Sequence, residues 1–336
     1  MDVSVVVCTY NRAESLGRTL DALQGQRTTP DLSWELVLVN NNSSDDTRAA
    51  VTAATTTFPV PLRYVFEPRQ GISHARNAGV DNAKGGIIAF TDDDCRPEPS
   101  WVQDLVDSMQ RWDADVLGGR ILPVWSSPPP AWLATDRHIW MSLAMLDDSA
   151  LRRVELGPWQ REHGFRVWGA NMAFRRSALD EAKGFDINLG ARGRKKYSHE
   201  EIMLVRKLVE AGKIVMYDPT PTVHHWVGPE RMRKRYFRTH SFYYGEGSAF
   251  RTGPPAGRHV LGIPPYLLRA LGGHVAAWIL AALRRDGETF CYEREIHESI
   301  GYLSGFIKCA LAAGEYARFR RARASSDSVS ERRVRP

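Results

Sequence analysis

The first 120 residues alternate short apolar runs with amphipathic stretches, and that rhythm narrows the fold before any single residue is considered. The apolar runs are Val3–Cys8, Glu35–Val39, Leu62–Phe66, Ile87–Thr91 and Asp115–Leu122. Between them lie stretches of helical periodicity at about Ala13–Gln24, Thr47–Thr56, Ser73–Ala83 and Ser100–Arg111. Strands alternating with helices predict an α/β fold, a doubly wound and mostly parallel sheet flanked by helices. Such sheets bind ligands beyond the carboxyl ends of their strands. Polar clusters fall at those ends: Thr9-Tyr10-Asn11-Arg12, the stretch from Asn40 to Asp46, and Asp92-Asp93-Asp94.

The acidic triplet is the sharpest chemical signal. In an extended backbone, alternate residues point to the same side, which puts Asp92 and Asp94 on one site and turns Asp93 away or round a bend. Clustered carboxylates repel one another unless a cation neutralises them. Oxygen ligands at a strand end suit Mg²⁺ or Mn²⁺, which share their coordination sphere with substrate phosphates. The alternative is an acidic turn capping the helix that Pro99-Ser100 opens.

The loop after the first strand excludes other nucleotide folds. A dinucleotide-binding chain places GxGxxG there so that backbone amides can approach a pyrophosphate. This chain has Cys8-Thr9-Tyr10-Asn11-Arg12, and it has neither a P-loop nor a glycine-rich loop ending in a basic residue. Phosphates would have to be held in another way, and the aspartate cluster with a metal is the available candidate.

The length of 336 residues allows about two domains. The expected division is a catalytic domain over 1–228, a helical C-terminal region over 229–316 and a basic, disordered tail over 317–336. The tail is rich in serine and arginine and poor in large apolar groups. The net charge of +6 is concentrated in that tail. Cys8, Cys95, Cys291 and Cys309 have no metal-ligand spacing and read as reduced thiols of a cytoplasmic protein. The longest apolar run near the C-terminus, Val275–Leu283, falls short of the ~20 residues of a membrane span. The expectation is therefore a chain that could touch a membrane peripherally but not cross it.

Pro123–Trp168, with Pro128-Pro129-Pro130, reads as a long irregular excursion of the kind that forms a lid or acceptor loop. Regular structure resumes at Gly169–Phe174, followed by a helix from about His199 to Ala211. Two short extended pieces, Ile214–Tyr217 and Thr222–His225, surround Pro219 and Pro221. From Pro229 the pattern is helical and rich in arginine and aromatics, and Tyr266–Arg284 and Thr289–Ala313 read as a packed helical pair or an amphipathic membrane contact. The basic stretch Arg231–Arg238 lacks a nucleic-acid-binding motif, so no nucleic-acid partner is expected.

Taken in order, Val5-Val6-Val7-Cys8-Thr9-Tyr10-Asn11-Arg12, Glu35-Leu36-Val37-Leu38-Val39-Asn40-Asn41-Asn42-Ser43, Gly71-Ile72-Ser73-His74-Ala75-Arg76-Asn77 and Asp92-Asp93-Asp94 resemble the family 2 glycosyltransferases of the GT-A fold. The resemblance continues through Gly169–Phe174, Gly184-Phe185-Asp186, Glu200-Glu201 and Val223-His224-His225, and covers about residues 3–250. It implies a nucleoside-diphosphate sugar donor, with UDP the expected carrier, a divalent metal and inversion at the anomeric carbon.

The resemblance also implies roles. Asp92-x-Asp94 matches the DxD motif, with Asp94 on the metal and Asp92 and Asp93 near ribose and diphosphate. Thr9, Tyr10, Asn11 and Arg76 match positions on the nucleotide side. Asn40 departs from the pattern, which has an aspartate there. An amide can still accept a hydrogen bond but carries no charge, so base preference is where a difference is expected. Gly169, Asn171 and Glu200 fall on the acceptor and sugar side. By themselves, two acids opening a helix are well explained by the helix dipole. The resemblance assigns Glu201 as the base that deprotonates the acceptor hydroxyl. It also implies a histidine near the metal or diphosphate, and the spacing from Pro219 favours His225 over His224. The implied function is inverting transfer of a sugar to an acceptor hydroxyl. The alternatives are a metal-dependent phosphohydrolase and an inactive nucleotide-sugar-binding protein.

Overall fold

Val3–Thr9 (β1) and Trp34–Asn40 (β2) are apolar at nearly every position because the sheet they form is covered on both faces. Val5, Val7, Leu36 and Leu38 join one buried cluster, with Leu16 and Leu20 of α1 (Ala13–Gln24) and Trp101 and Leu105 of α4 (Trp101–Arg111). Val6, Val37 and Val39 point the other way, onto Ala75 and Val80 of α3 (Ile72–Asn82) and onto α6 (Arg176–Ala182) and α7 (Glu200–Glu210). Alternate residues of each strand thus feed two cores.

The computed structural model describes residues 1–134, 142–143, 145–147, 152–153, 167–191, 199–252, 263, 265–284 and 289–311. The expected tail lies outside the described residues, as does much of the expected excursion (135–141, 144, 148–151 and 154–166). The chain divides into two compact units at Pro229/Glu230.

In the first unit the sheet order is β3-β2-β1-β4-β8-β6-β9-β5. β3 (Leu62–Phe66), β2, β1 and β4 (Ile87–Asp92) are mutually parallel, as the alternation predicts. α2 (Thr47–Thr55) lies between β2 and β3 in the chain. Beyond β4 the sheet is mixed. β8 (Met172–Arg175) runs antiparallel between β4 and β6 (Val116–Trp125), and β6 is parallel to β9 (Val215–Val227). β5 (Cys95–Pro97) and the two-residue β7 (Arg152–Arg153) both lie antiparallel on β9, and α5 (Ala131–Ala134) is a single turn.

Where the sequence suggests two short extended pieces around Pro219 and Pro221, one strand, β9, runs through. Its register against β6 shifts between Gly118↔Tyr217 and Arg120↔Thr222, so Asp218–Pro221 bulge out. Prolines lack the N–H a ladder needs, and the bulge removes that need.

The second unit contains α8 (Lys234–Thr252), α9 (Pro265–Arg284) and α10 (Thr289–Leu311). On α8 and α10, side chains added at Gly245 or Gly301 would collide with the facing helix backbone, so the glycines permit the close crossing. Buried Glu246 of α8 accepts hydrogen bonds from Lys308 (2.6 Å) and Ser304 (2.9 Å) of α10. α9 continues unbroken through Gly272, Gly273 and His274, and by length and composition alone it is long and apolar enough to cross a membrane.

Candidate active site

The parallel register brings three expected site residues to one edge. Thr9 lies opposite Asn40, and Cys8 lies opposite Asp92, all at the carboxyl ends of β1, β2 and β4. Thr9 and Asn40 are buried, whereas Tyr10 is exposed. Asn40 Oδ1 accepts from the Ser43 N–H (2.8 Å), and its Nδ2 donates to the Tyr64 hydroxyl (3.0 Å). Asn11 has φ 51°, in the left-handed region that asparagine tolerates, and its Oδ1 accepts from the Ser44 N–H at 2.7 Å. Asn11 therefore ties the β1 loop to the β2 loop, and Asn40 ties the β2 loop to β3.

β4 ends at Asp92, and Asp93 and Asp94 form the turn into β5. The turn breaks the strand alternation, so Asp93 does not face away from Asp94. Both reach the same nitrogen: Arg12 Nη1 lies 2.9 Å from Asp93 Oδ1 and 2.6 Å from Asp94 Oδ2. Burial pushes Asp93 up to about 6, against the pull of Arg12 and with added repulsion from Asp94. Burial likewise raises Asp92, opposed first by Arg76. Arg12 stays firmly charged because the attraction of Asp93 and Asp94 outweighs its own desolvation.

β5 pairs with β9 so that Cys95 lies opposite His225. That pairing brings buried His225 Nε2 to 3.3 Å from Asp94 Oδ1. His224, on the other face of β9, turns to Glu98 at 2.6 Å and is partly exposed. Ligand atoms of Asp94, Cys95 and His225 lie within 4.8 Å of one another. Burial, reinforced by Asp94 and Asp92, pushes the Cys95 thiol well above its usual range. Asp94 oxygen and His225 nitrogen are the harder donors of the three, a pair that fits a divalent ion completing its shell with phosphate and water. A nitrogen ligand favours Mn²⁺ over Mg²⁺.

The second lobe is built on Arg76 of α3. Its Nη1 donates to Glu200 Oε1 at 2.7 Å and lies 4.0 Å from Glu201 Oε2, with all three side chains almost fully buried. The guanidinium lies 5.4 Å from the centre of the Phe185 ring, which packs edge-on against Phe90 and Phe174. Asn77 holds the Phe185 backbone by accepting from its N–H and donating to its carbonyl, both at 2.8 Å. Gly169 is needed here, because a Cβ at that position would collide with the Arg76 guanidinium. Burial and repulsion from Glu201 push Glu200 up to about 8, against the attraction of Arg76. Glu200 Oε2 and Glu201 Oε2 are buried and accept no hydrogen bond among the described residues. Both carboxylates open α7, where the helix dipole favours negative charge.

Asn171, expected on the acceptor side, belongs instead to the scaffold. It is fully buried, its Nδ2 donates to the carbonyls of Arg120 and Pro221, and its Oδ1 accepts from Trp101 Nε1, all at 2.9 Å. These bonds use both amide hydrogens. Two residues outside the expected set also shape the site. Arg12 holds the acidic turn, although its place in the first polar loop was the only hint in the sequence. His199 precedes Glu200 with φ 91°, a left-handed conformation unfavourable for a non-glycine residue, and no sequence signal marks it.

Comparison with known proteins matches this arrangement to one family. The model of glycosyl transferase family 2 matches residues 4–182, more than half the chain. The glucosyl-dolichyl phosphate glucuronosyltransferase of Haloferax volcanii is 29% identical over 249 residues, which cover 73% of this chain and 75% of the relative. The succinoglycan biosynthesis protein ExoM of Rhizobium meliloti is 24% identical, over 71% of this chain and 73% of its own. Among solved structures, S. aureus TarS 1–349 in complex with UDP-GlcNAc has a TM-score of 0.52 at 15% identity, covering 93% of this chain and 92% of that one. GalNAc-T7 with UDP, GalNAc and Mn²⁺ has a TM-score of 0.51 at 16% identity, covering 75% of this chain and 50% of that one. These two likenesses show a shared GT-A fold. With the family model spanning the strands that carry the polar edge and the acidic turn, the chain belongs to glycosyl transferase family 2 and is a glycosyltransferase.

Proposed function

We propose that this glycosyltransferase moves a sugar, with inversion, from a nucleoside-diphosphate sugar to an acceptor hydroxyl, and that it depends on a divalent metal. The observation that carries the reading is the Asp94–His225 pair at 3.3 Å, two donors from distant parts of the chain joined at a ligand-binding strand edge. The UDP-GlcNAc held by the TarS neighbour supports UDP as the carrier. The nucleotide would lie along Thr9, Tyr10, Asn11 and Asn40, at the ends of β1 and β2.

Glu201 is the general base. Glu200 is tied to Arg76 at 2.7 Å, whereas Glu201 lies 4.0 Å from the same guanidinium and is the less committed carboxylate, able to accept a proton. As the acceptor oxygen attacks the anomeric carbon, its proton passes to Glu201. The bond from that carbon to the diphosphate oxygen breaks, and its electron pair leaves with the nucleotide. Arg76 holds the glutamate pair in place through its contact with Glu200. Arg12, partly exposed, lies within reach of negative charge arriving at Asp93 and Asp94. A divalent ion on Asp94 and His225 would supply positive charge to the leaving diphosphate.

The test is thermal stabilisation by UDP, GDP and dTDP with Mn²⁺ or with EDTA, in wild type and Asp94→Ala, alongside product analysis. The expected result is Mn²⁺-dependent stabilisation by one diphosphate, its loss in Asp94→Ala, and a glycosylated product. Stabilisation that persists equally in EDTA and in Asp94→Ala would remove the metal from the reading. Released phosphate without transfer would favour hydrolysis.

A further inference from the structure

The outward side of α9 is apolar along its length. Leu268, Val275, Ile279 and Leu283 follow helical spacing and form one stripe, and all are exposed, Leu283 at 76%. Trp278 and Leu280, also exposed, flank it on either side. The opposite side is packed. Leu267 and Ala281 are buried, His274 Nδ1 meets Ser299 Oγ at 3.0 Å, and His274 Nε2 lies 3.8 Å from Glu295 on α10. Large apolar side chains scattered singly over a surface are ordinary, but a contiguous stripe marks an interaction site.

Charge identifies the occupant. Between Pro265 and Arg284 the charged residues are Arg269 and Arg284, both exposed, and there is no aspartate or glutamate. An apolar stripe with an arginine toward each end is complementary to an anionic lipid surface: acyl chains receive the stripe and headgroup phosphates meet the guanidinium groups. Trp278 carries an amphipathic ring of the kind that settles at headgroup depth. A second copy of the chain fits less well. An antiparallel pairing of two α9 helices sets Arg269 against Arg284, and a parallel one sets like against like. Crossing the bilayer fits less well too, because α9 is packed against α10 beside Glu295, and a charged carboxylate at the bilayer centre is costly.

We propose that α9 docks the second unit onto an anionic membrane surface, lying in the plane of the bilayer with its stripe at the boundary between headgroups and acyl chains. None of these residues belongs to the carboxylate site, so the proposal goes beyond the glycosyl-transfer reading and does not depend on it.

The experiment is flotation of the full chain with vesicles of phosphatidylcholine alone and of phosphatidylcholine with phosphatidylglycerol. Wild type should float with the anionic vesicles and bind the neutral ones more weakly, and added salt should narrow the difference. Ile279→Glu with Leu283→Glu should lower partitioning at least about tenfold. Arg269→Gln with Arg284→Gln leaves the stripe intact and should remove most of the preference for anionic lipid. Unchanged Mn²⁺ and UDP stabilisation, or an unchanged circular dichroism spectrum, shows that each variant is folded. Wild type that stays with neither vesicle, or an Ile279→Glu/Leu283→Glu variant that floats like wild type, would overturn the proposal. So would a lipid-free dimer that this variant dissociates, which would assign the face to a second copy.

Discussion

Arg12 Nη1 rests 2.6 Å from Asp94 Oδ2, so the proposed metal ligand is paired with a cation of the chain's own. The same nitrogen holds Asp93, and the Arg12 side chain is 41% exposed, which leaves it room to swing away. A guanidinium and a divalent ion compete for one carboxylate. Arg12→Gln should therefore tighten Mn²⁺ binding without nucleotide by about three- to tenfold, the modest range expected of a partly exposed charged contact. Titration of Mn²⁺ by electron paramagnetic resonance reads this directly. Weaker binding in the variant would mean that Arg12 shapes the site rather than competing for it.

Gly169 leaves the space that the Arg76 guanidinium fills. Arginine is flexible, but this one is pinned to Glu200 and packed near Phe185, so it cannot retreat without losing a buried hydrogen bond. Gly169→Ala should lower turnover by about tenfold or more, in proportion to the misplacement of the glutamate pair. Steady-state kinetics beside a melting curve checks this. Normal turnover would show that Arg76 need not hold its position.

Glu200 gives a pH signature. Its carboxyl is raised from 4.5 to about 8, burial being the largest cause, so between those values the folded chain keeps a proton that the unfolded chain has lost. The folded state binds more protons there, and its stability falls as pH rises through that window. Glu200→Gln cannot titrate and should flatten that part of the stability profile. Melting temperatures from about pH 4.5 to about pH 8.5 for both proteins decide it, bracketing the window set by the two pKa values. Parallel profiles would place the raised titration elsewhere.

Asn40 bonds to Ser43 and Tyr64, yet an amide oxygen has a second lone pair for a ligand. Asn40→Asp introduces a charge on the nucleotide side and should change the ranking of UDP, GDP and dTDP as competitors more than it changes sugar preference. An unchanged ranking would remove Asn40 from base selection.

β1, β2 and β4 are legible in the sequence because both of their faces are buried, which writes strands such as Val3–Thr9 as continuous apolar runs. β8 slots in antiparallel, and β5 has only three residues, too few for any periodicity. Strand alternation leaves Asp93 either facing away or rounding a bend, and the backbone turns immediately after Asp92. Arg12 meets the acidic turn across about eighty residues of chain, a pairing for which the sequence has no local signal. The family resemblance places Asn171 on the acceptor side, but its amide bridges β6 and β9. Glu200 and Glu201 are identical as letters, and only the Arg76 contact distinguishes them.

The two roles separate most directly in kcat and nucleotide Kd for Glu201→Gln and Glu200→Gln, measured side by side. Glutamine keeps shape and hydrogen bonding while removing the proton acceptor. Glu201→Gln should lose roughly 10²–10⁴ in kcat, the range for a positioned general base, with nucleotide Kd nearly unchanged. Glu200→Gln should lose less, because its amide oxygen can still accept from Arg76. A dead Glu200→Gln beside a normal Glu201→Gln would reverse the two roles, and normal turnover in both would contradict the account.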